Sequence, residues 1–384
     1  MSRQGLRIRE VFRFQPAEGG LYPAMLQASR HTVLHYTGSQ SDEGGVHAVI
    51  RQLACNPRAR GLLGVNREYV TEKMPRLHAW RGPSVADETI GPGNILNTCR
   101  VAWRVRRWLR HAPHRIFHGH TRAGLLVALW LHLLGQRRVV ASVHCYGRQS
   151  WFYRLATEWL GPRLLWLSPA MKRHYGLADR SWSGCMPNGV TAPLPGEMRR
   201  GPGDVLRLGG AGALVAWKRW DLVLAALARL PVAAKVRFIH IGGALDTPES
   251  RACERELHAL TAKLGLEDRV EWRGWQRSSA ELLREVDAVV VPSDGEPFSM
   301  IALEALFAGV PVVATRGGGP EDFVLDGVNG WLVPQGDVAA LAGRIASLQQ
   351  PAAWTGLRVM PDHLRKFSMN ETLAARWTEI YSSL

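Results

Sequence analysis

The sequence predicts an α/β protein built on parallel sheets, and three observations carry that expectation. Short β-branched runs alternate with helical segments along most of the chain. Glycine-rich loops follow several of these runs, where open α/β sheets bind ligands. Residues 287–315 spell out one whole unit: Asp287-Ala-Val-Val-Val-Pro-Ser reads as a buried strand, Met300–Phe307 as a short helix ended by Gly309, and Val310-Pro-Val-Val-Ala-Thr315 as the next strand. Strand, loop, helix, strand is a right-handed crossover of a parallel sheet.

A length of 384 residues suits two domains, each with its own core. The longest apolar run, 123–135, contains His132 and is too short to span a bilayer. Residues 1–30 carry scattered arginines and no apolar core segment, so a signal peptide is not expected. The five cysteines are dispersed and lack a C-x-x-C pair, which argues against a disulfide framework or zinc site and for a reducing, cytoplasmic setting. Charge is lopsided. Residues 1–190 hold 27 Lys and Arg against 10 Asp and Glu, whereas residues 191–384 hold 21 against 23. Positions 101–150 carry nine Arg and no acid. So basic a first half calls for an anionic partner: phospholipid headgroups, a phosphorylated acceptor or nucleic acid.

In chain order, Thr32-Val-Leu-His-Tyr36 is the first clear strand, followed by a polar loop ending in Gly44-Gly45 and a helix over 46–54. Gly45 suits either close backbone approach to an anion or a plain tight turn; the full G-x-G-x-x-G pattern is missing. Residues 97–110 form an amphipathic helix with Trp103 and Trp108 among arginines, suited to a membrane interface or to a solvated surface. His118, His120 and His144 fall at carboxyl ends of predicted strands. No carboxylate or cysteine completes a metal set with them, so they are expected to line a cleft, with His144 in direct contact with a reacting sugar; a plain loop histidine is the alternative. Met186-Pro-Asn-Gly-Val190 is a strong turn signal where composition and charge change, and the domain boundary is placed there.

The second half opens with Val205-Leu-Arg-Leu-Gly-Gly210, then a loop with Lys218 and Arg219 ahead of a helix over 221–230. Only six residues of the chain are lysine against 42 arginines. Beside a helix N-terminus the Lys218 ammonium would neutralise a diphosphate; alone it reads equally as a solvated side chain. Gly274 allows close approach to a flat ring, so Trp275 or its backbone suits a nucleobase. Glu296 lies in the loop after the 287–293 run, and Glu304 lies within the following helix. The helical neighbours of Glu304 three and four positions away are Met300, Ile301, Phe307 and Ala308, with no cation among them. A carboxylate so placed needs donors, and a sugar diol supplies them; taken alone, Glu304 reads equally as a solvated glutamate on an ordinary helix. The N–H groups of Phe298, Ser299 and Met300 open this helix as an anion site. The last sixteen residues read as an amphipathic helix.

Together these residues resemble the retaining glycosyltransferases of the GT-B fold, the large bacterial family four. The carriers are Glu296 and Glu304 in an E-x7-E motif, Lys218 in Trp-Lys-Arg-Trp-Asp, Gly317-Gly-Gly-Pro-Glu321, Gly44-Gly45, His144 and Pro187-Asn-Gly-Val190. The resemblance covers roughly 32–384 and is strongest over 205–335. It implies two Rossmann-like doubly wound domains facing across a cleft: an acceptor domain (1–190), a nucleotide-sugar domain (191–365), and a terminal helix (366–384) that crosses back. It implies that Glu304 holds the ribose, Glu296 the donor sugar and His144 a sugar hydroxyl, with His118 and His120 in the acceptor cleft. Lys218, Arg219 and the N–H groups of Ser299 and Met300 would take the diphosphate, with Gly44 and Gly45 approaching it and Gly274–Trp275 meeting the base. One departure stands out: where the family often has an arginine, this chain has Ala213.

The expectation is therefore hexosyl transfer from a UDP- or GDP-linked sugar to an anionic glycan or lipid-linked precursor. The reaction would need no metal or cofactor, and would take place in the cytoplasm or at the inner face of the membrane. A nucleotide-sugar epimerase and a catalytically silent relative are the alternatives. Nucleic acid is not expected as a partner, because no recognised binding motif accompanies the charge.

Overall fold

A computed structural model describes residues 31–38, 45–54, 59–67, 69, 79–85, 91–147, 149–192, 197–199, 201–358 and 360–384. Among them are two six-stranded sheets in which every named strand pair is parallel. The first comprises β1 (His31–Tyr36), β2 (Ala59–Asn66), β3 (Ala79–Gly82), β4 (Arg115–Gly119), β5 (Val139–Val143) and β6 (Leu164–Trp166), in the order β3-β2-β1-β4-β5-β6. The second repeats that order with β7 (Leu206–Ala211), β8 (Val236–Ile241), β9 (Val270–Trp272), β10 (Ala288–Val291), β11 (Val312–Thr315) and β12 (Gly330–Val333), as β9-β8-β7-β10-β11-β12. Each sheet reverses its winding once, between β1 and β4 and between β7 and β10. A crevice opens beyond the strand carboxyl ends at such a switch point.

In the first lobe the helices are α1 (Gly45–Ala54), α2 (Pro92–Arg110), α3 (Arg122–Leu133), α4 (Ser150–Leu160) and α5 (Pro169–His174). Leu34, Tyr36 and Phe117 point to the face covered by α2, α3 and α4, whereas Val33, Ile116 and Val140 point to the opposite face. This alternation is the period of a strand buried on both sides. The helix expected from residue 97 starts five residues earlier, because Pro92 in the first turn suits a helix start. Helix α3 is apolar on nearly every side and buried from Ala123 to Leu129, so it needs the cover that α2 and α4 provide.

The second lobe contains α6 (Trp220–Ala228), α7 (Pro248–Lys263), α8 (Ala280–Glu285), α9 (Met300–Phe307), α10 (Val338–Ser347) and α11 (Pro361–Arg365). After α11 the chain returns to the first lobe: Met369 N–H donates to Val190 O at 3.0 Å, and Val190 N–H to Phe367 O at 3.0 Å. The continuous terminal helix expected from residue 369 is divided. Met369–Leu373 is one wide π turn, and α12 (Ala374–Ser382) follows. Leu373, Trp377 and Tyr381 then pack beneath the first sheet against Val33, Ile116 and Val140. No helix among the described residues is long and apolar enough to cross a membrane.

Candidate active site

The loops after β7 and β10 flank the second crevice, and they bring Lys218 and Glu296 together. Lys218 Nζ donates to Glu296 Oε2 at 2.6 Å, and Ser293 Oγ donates to the same oxygen at 2.9 Å. Glu296 is buried, and the Lys218 ammonium also lies over the Trp217 ring, 4.4 Å from its centre. This charge-assisted pair sits where water is scarce and hydrogen bonds to charge count most. Only Arg219 and Ser299 are non-glycine residues with positive φ among the described residues, at 54° and 72°, and they bracket this site.

Glycines hold the loop in place. A Cβ on Gly318 would lie 2.6 Å from Glu296 O, and one on Gly319 would lie 2.3 Å from Pro297 O. The 317–319 run can therefore press against residues 296–298, and Gly319 N–H donates to Glu296 O at 2.7 Å. Helix α9 starts at the same point. No side chain caps it, and the Ser299 hydroxyl is buried with no hydrogen-bond partner. Its first-turn N–H groups and dipole make the crevice floor attractive to an anion. The Phe298 ring itself is core, packed on Phe323 and Phe367, while Met300 is half-buried.

Glu304, one turn further along α9, is half-buried and accepts from Ser279 Oγ at 2.5 Å. Burial pushes its carboxyl above the usual range, and that hydrogen bond opposes the shift. Trp275 lies against the turn after β8, donating to Ala244 O at 3.3 Å beside Gly274 (φ 65°). Gly45 opens α1 with nothing near its Cβ position, and Gly44 lies outside the described residues.

Three expected contacts, Arg219, His118 and His120, have partners that the sequence did not indicate. Arg219 does not offer a free guanidinium: it bonds Asp294 at 2.8 Å and Asp221 at 3.0 Å. Two carboxylates therefore share its charge in the unliganded protein, and Ala213 adds no second cation beside it. His118 does not line the cleft either. It is fully buried in β4, with Nδ1 on Tyr381 OH of α12 at 3.0 Å and Nε2 on Ser142 Oγ at 2.8 Å. As a strand residue it points to the sheet face that the terminal helix covers.

His120 is also fully buried and belongs to a row rather than to the cleft wall. His35 Nδ1 meets His120 Nε2 at 2.9 Å, and His120 Nδ1 meets His144 Nε2 at 3.1 Å. Burial lowers all three, His35 and His144 to about 3, so each ring is neutral and carries one proton. The two shared bonds are both made only when all three rings are polarised the same way. His144 Nδ1 is then the free end of the row, buried and without a partner. His35, His118 and His120 lie close enough to resemble a three-histidine metal set, but both nitrogens of His118 and of His120 are already engaged in hydrogen bonds.

The first lobe meets the second around Glu296. Ser168 Oγ donates to Pro297 O at 3.2 Å, and Tyr146 lies near Gly295. Burial, with Glu296's charge adding to it, pushes the Tyr146 phenol up to about 12. His144, two residues from Tyr146, thus comes from a loop that faces the Glu296 loop. Sequence reasoning missed Tyr146, Ser293, Ser279, Trp217 and His35. Ser293, three residues before Glu296, carried a local signal; Ser279 and His35 meet their partners only through the fold.

Residues 206–350 match the family model described as glycosyl transferases group 1. A lipopolysaccharide core biosynthesis glycosyltransferase, LpsE, of Rhizobium meliloti (strain 1021) is 33% identical over 147 residues, covering 38% of this chain and 40% of the relative. A D-inositol 3-phosphate glycosyltransferase of Xylanimonas cellulosilytica is 39% identical over 140 residues, covering 36% and 32%. The chain thus spans less than half the length of the curated relatives it matches. The crystal structure of Anabaena HepE in complex with UDP and glucose superposes with a TM-score of 0.73 at 22% identity, covering 92% of this chain and 99% of the other. At that identity the likeness shows the fold, which is GT-B.

Proposed function

Because residues 206–350 match the family model described as glycosyl transferases group 1, we propose that this protein transfers a hexose from a UDP- or GDP-linked sugar to an anionic glycan or lipid-linked acceptor. The observation that carries this reading is the Lys218–Glu296 pair at the switch point, beside the uncapped start of α9. In this reading the diphosphate takes Lys218 and the N–H groups of Ser299 and Met300, and the sugar hydroxyls take Glu296 and the Nδ1 end of His144. The ribose takes Glu304 in place of Ser279, and the base lies against Gly274–Trp275. The HepE structure supports this choice of donor, since it was solved with UDP and glucose. The Rhizobium relative favours an acceptor of the lipopolysaccharide type, and the basic first half favours one carrying negative charge.

Transfer proceeds with retention. The bond from the anomeric carbon to the phosphate oxygen breaks, and its electron pair leaves with the nucleoside diphosphate. An acceptor hydroxyl oxygen bonds to the same face of that carbon, and its proton passes to a departing phosphate oxygen. Lys218 and the α9 dipole stabilise the growing negative charge, so the scheme calls for no metal. Contact between the lobes at Ser168–Pro297 helps keep water from the donor.

The test is a screen of nucleoside diphosphates by thermal shift, followed by turnover of the binding nucleotide's sugars with and without chelator. A binder raises the melting point by mass action, and product analysis by NMR shows a retained anomeric configuration. Absence of any nucleotide shift defeats the reading. Conversion of the donor sugar without release of nucleotide would point instead to an epimerase.

A further inference from the structure

The first lobe carries an outward apolar and cationic face that the proposed transfer chemistry does not use. Helix α4 exposes Trp151, Leu155 and Trp159, at 60%, 39% and 42%. Their spacing of four residues puts them on one side of the helix. Across the buried α3, helix α2 exposes Leu96, Arg100, Trp103 and Arg107, again on one side, with the Arg107 guanidinium 5.1 Å from the Trp103 ring centre. Leu133 at the end of α3 is 55% exposed between them. Two contacts tie this end together: Arg106 Nε donates to Leu134 O at 3.3 Å, and Arg163 meets His132 at 2.8 Å.

Charge on this part of the lobe is nearly all of one sign. The only acids between residues 91 and 190 are Glu158 and Asp179, and both pair with Arg180. Apolar tryptophans set among unopposed arginines are the composition of a surface that lies in a headgroup layer. The residue 97–110 helix, whose sequence suits a membrane interface or a solvated surface equally, supplies the flank; its Trp108 is buried. We propose that the α2–α4 face docks on an anionic phospholipid surface, with Trp151, Leu155 and Trp159 entering the interface and Arg100, Arg104 and Arg107 contacting headgroup phosphates. Docking there leaves the crevice beyond the strand carboxyl ends free to receive a lipid-linked acceptor from the same surface.

Co-sedimentation of the full chain with vesicles of phosphatidylcholine, with and without phosphatidylglycerol, tests this. Binding is expected only with the anionic lipid, and it should weaken as salt rises. The variant W151S/L155S/W159S should partition at least about tenfold less, and R100E/R104E/R107E should lose the dependence on anionic lipid. These positions are already exposed, so circular dichroism and nucleoside diphosphate binding should match the parent. The proposal is overturned if the triple variants bind vesicles as the parent does, if neutral vesicles bind equally well, or if light scattering shows a lipid-free dimer that W151S/L155S/W159S dissolves. The Lys218→Met variant should sediment normally, so failure of the donor-site reading is distinguishable from failure of this one.

Discussion

Replacing Lys218 by methionine keeps the length of the side chain and removes the ammonium. Glu296 is then left buried with Ser293 Oγ as its remaining side-chain donor. A hydrogen bond to a charged group is worth about 1.5–3 kcal/mol, and breaking a fully buried ion pair costs about 3–5 kcal/mol. Side-chain exposures of 15% for Lys218 and 7% for Glu296 place this pair near the lower end, at about 3 kcal/mol. Adding Glu296→Gln removes the stranded charge and should recover about half of that loss. Urea unfolding followed by tryptophan fluorescence measures all corners of the cycle. Nucleoside diphosphate affinity should fall about 10–100-fold in Lys218→Met, whereas Glu296→Gln should change it only a few-fold while abolishing sugar transfer. Additive stability effects, together with unchanged nucleotide affinity in Lys218→Met, would refute the assignment of this pair.

Three further outcomes are expected. Glu304 carries a raised carboxyl, so the native state binds its proton more tightly than the unfolded chain does. Stability therefore falls as pH rises through the interval above the ordinary value, and Glu304→Gln should stabilise the unliganded protein at neutral pH while weakening nucleoside binding about tenfold. The buried histidines act in the opposite direction: His35, His144 and His240 are lowered from 6.5 to about 3, and His118 and His120 also lie well below 6.5. Below pH 6.5 the unfolded chain takes up protons that the native rings refuse, so each histidine removes up to about 1.4 kcal/mol of stability per pH unit, read by circular dichroism across that range. Trp377→Ala should cost about 3–5 kcal/mol, because the ring is buried under the first sheet and lies 4.9 Å from the His118 ring. Limited proteolysis should then release the terminal helix first.

Much of the architecture was legible because local rules govern it. The α9 helix runs Met300–Phe307 as its pattern indicates, and β5 coincides with Val139–Val143. Only seven residues separate Glu296 from Glu304 in one loop-and-helix unit, so the chain itself brings both to one sheet rim. The division of the terminal helix was not legible. Its π turn arises where the chain pairs with Val190, a contact invisible to helical periodicity.

Side-chain partners divide along the same line. Composition and spacing alone determined an α/β chain with a basic first half, a carboxylate without a neighbouring cation at Glu304, and a glycine run after β11. Only the tertiary structure joined Lys218 to Glu296 across 78 residues, engaged Arg219 with Asp294 across 75, and turned His118 toward Tyr381 across 263. Strand and helix periods are steric properties of a few consecutive residues. Which strand lies beside which, and so which loops share a crevice, is settled by how whole layers bury their apolar faces.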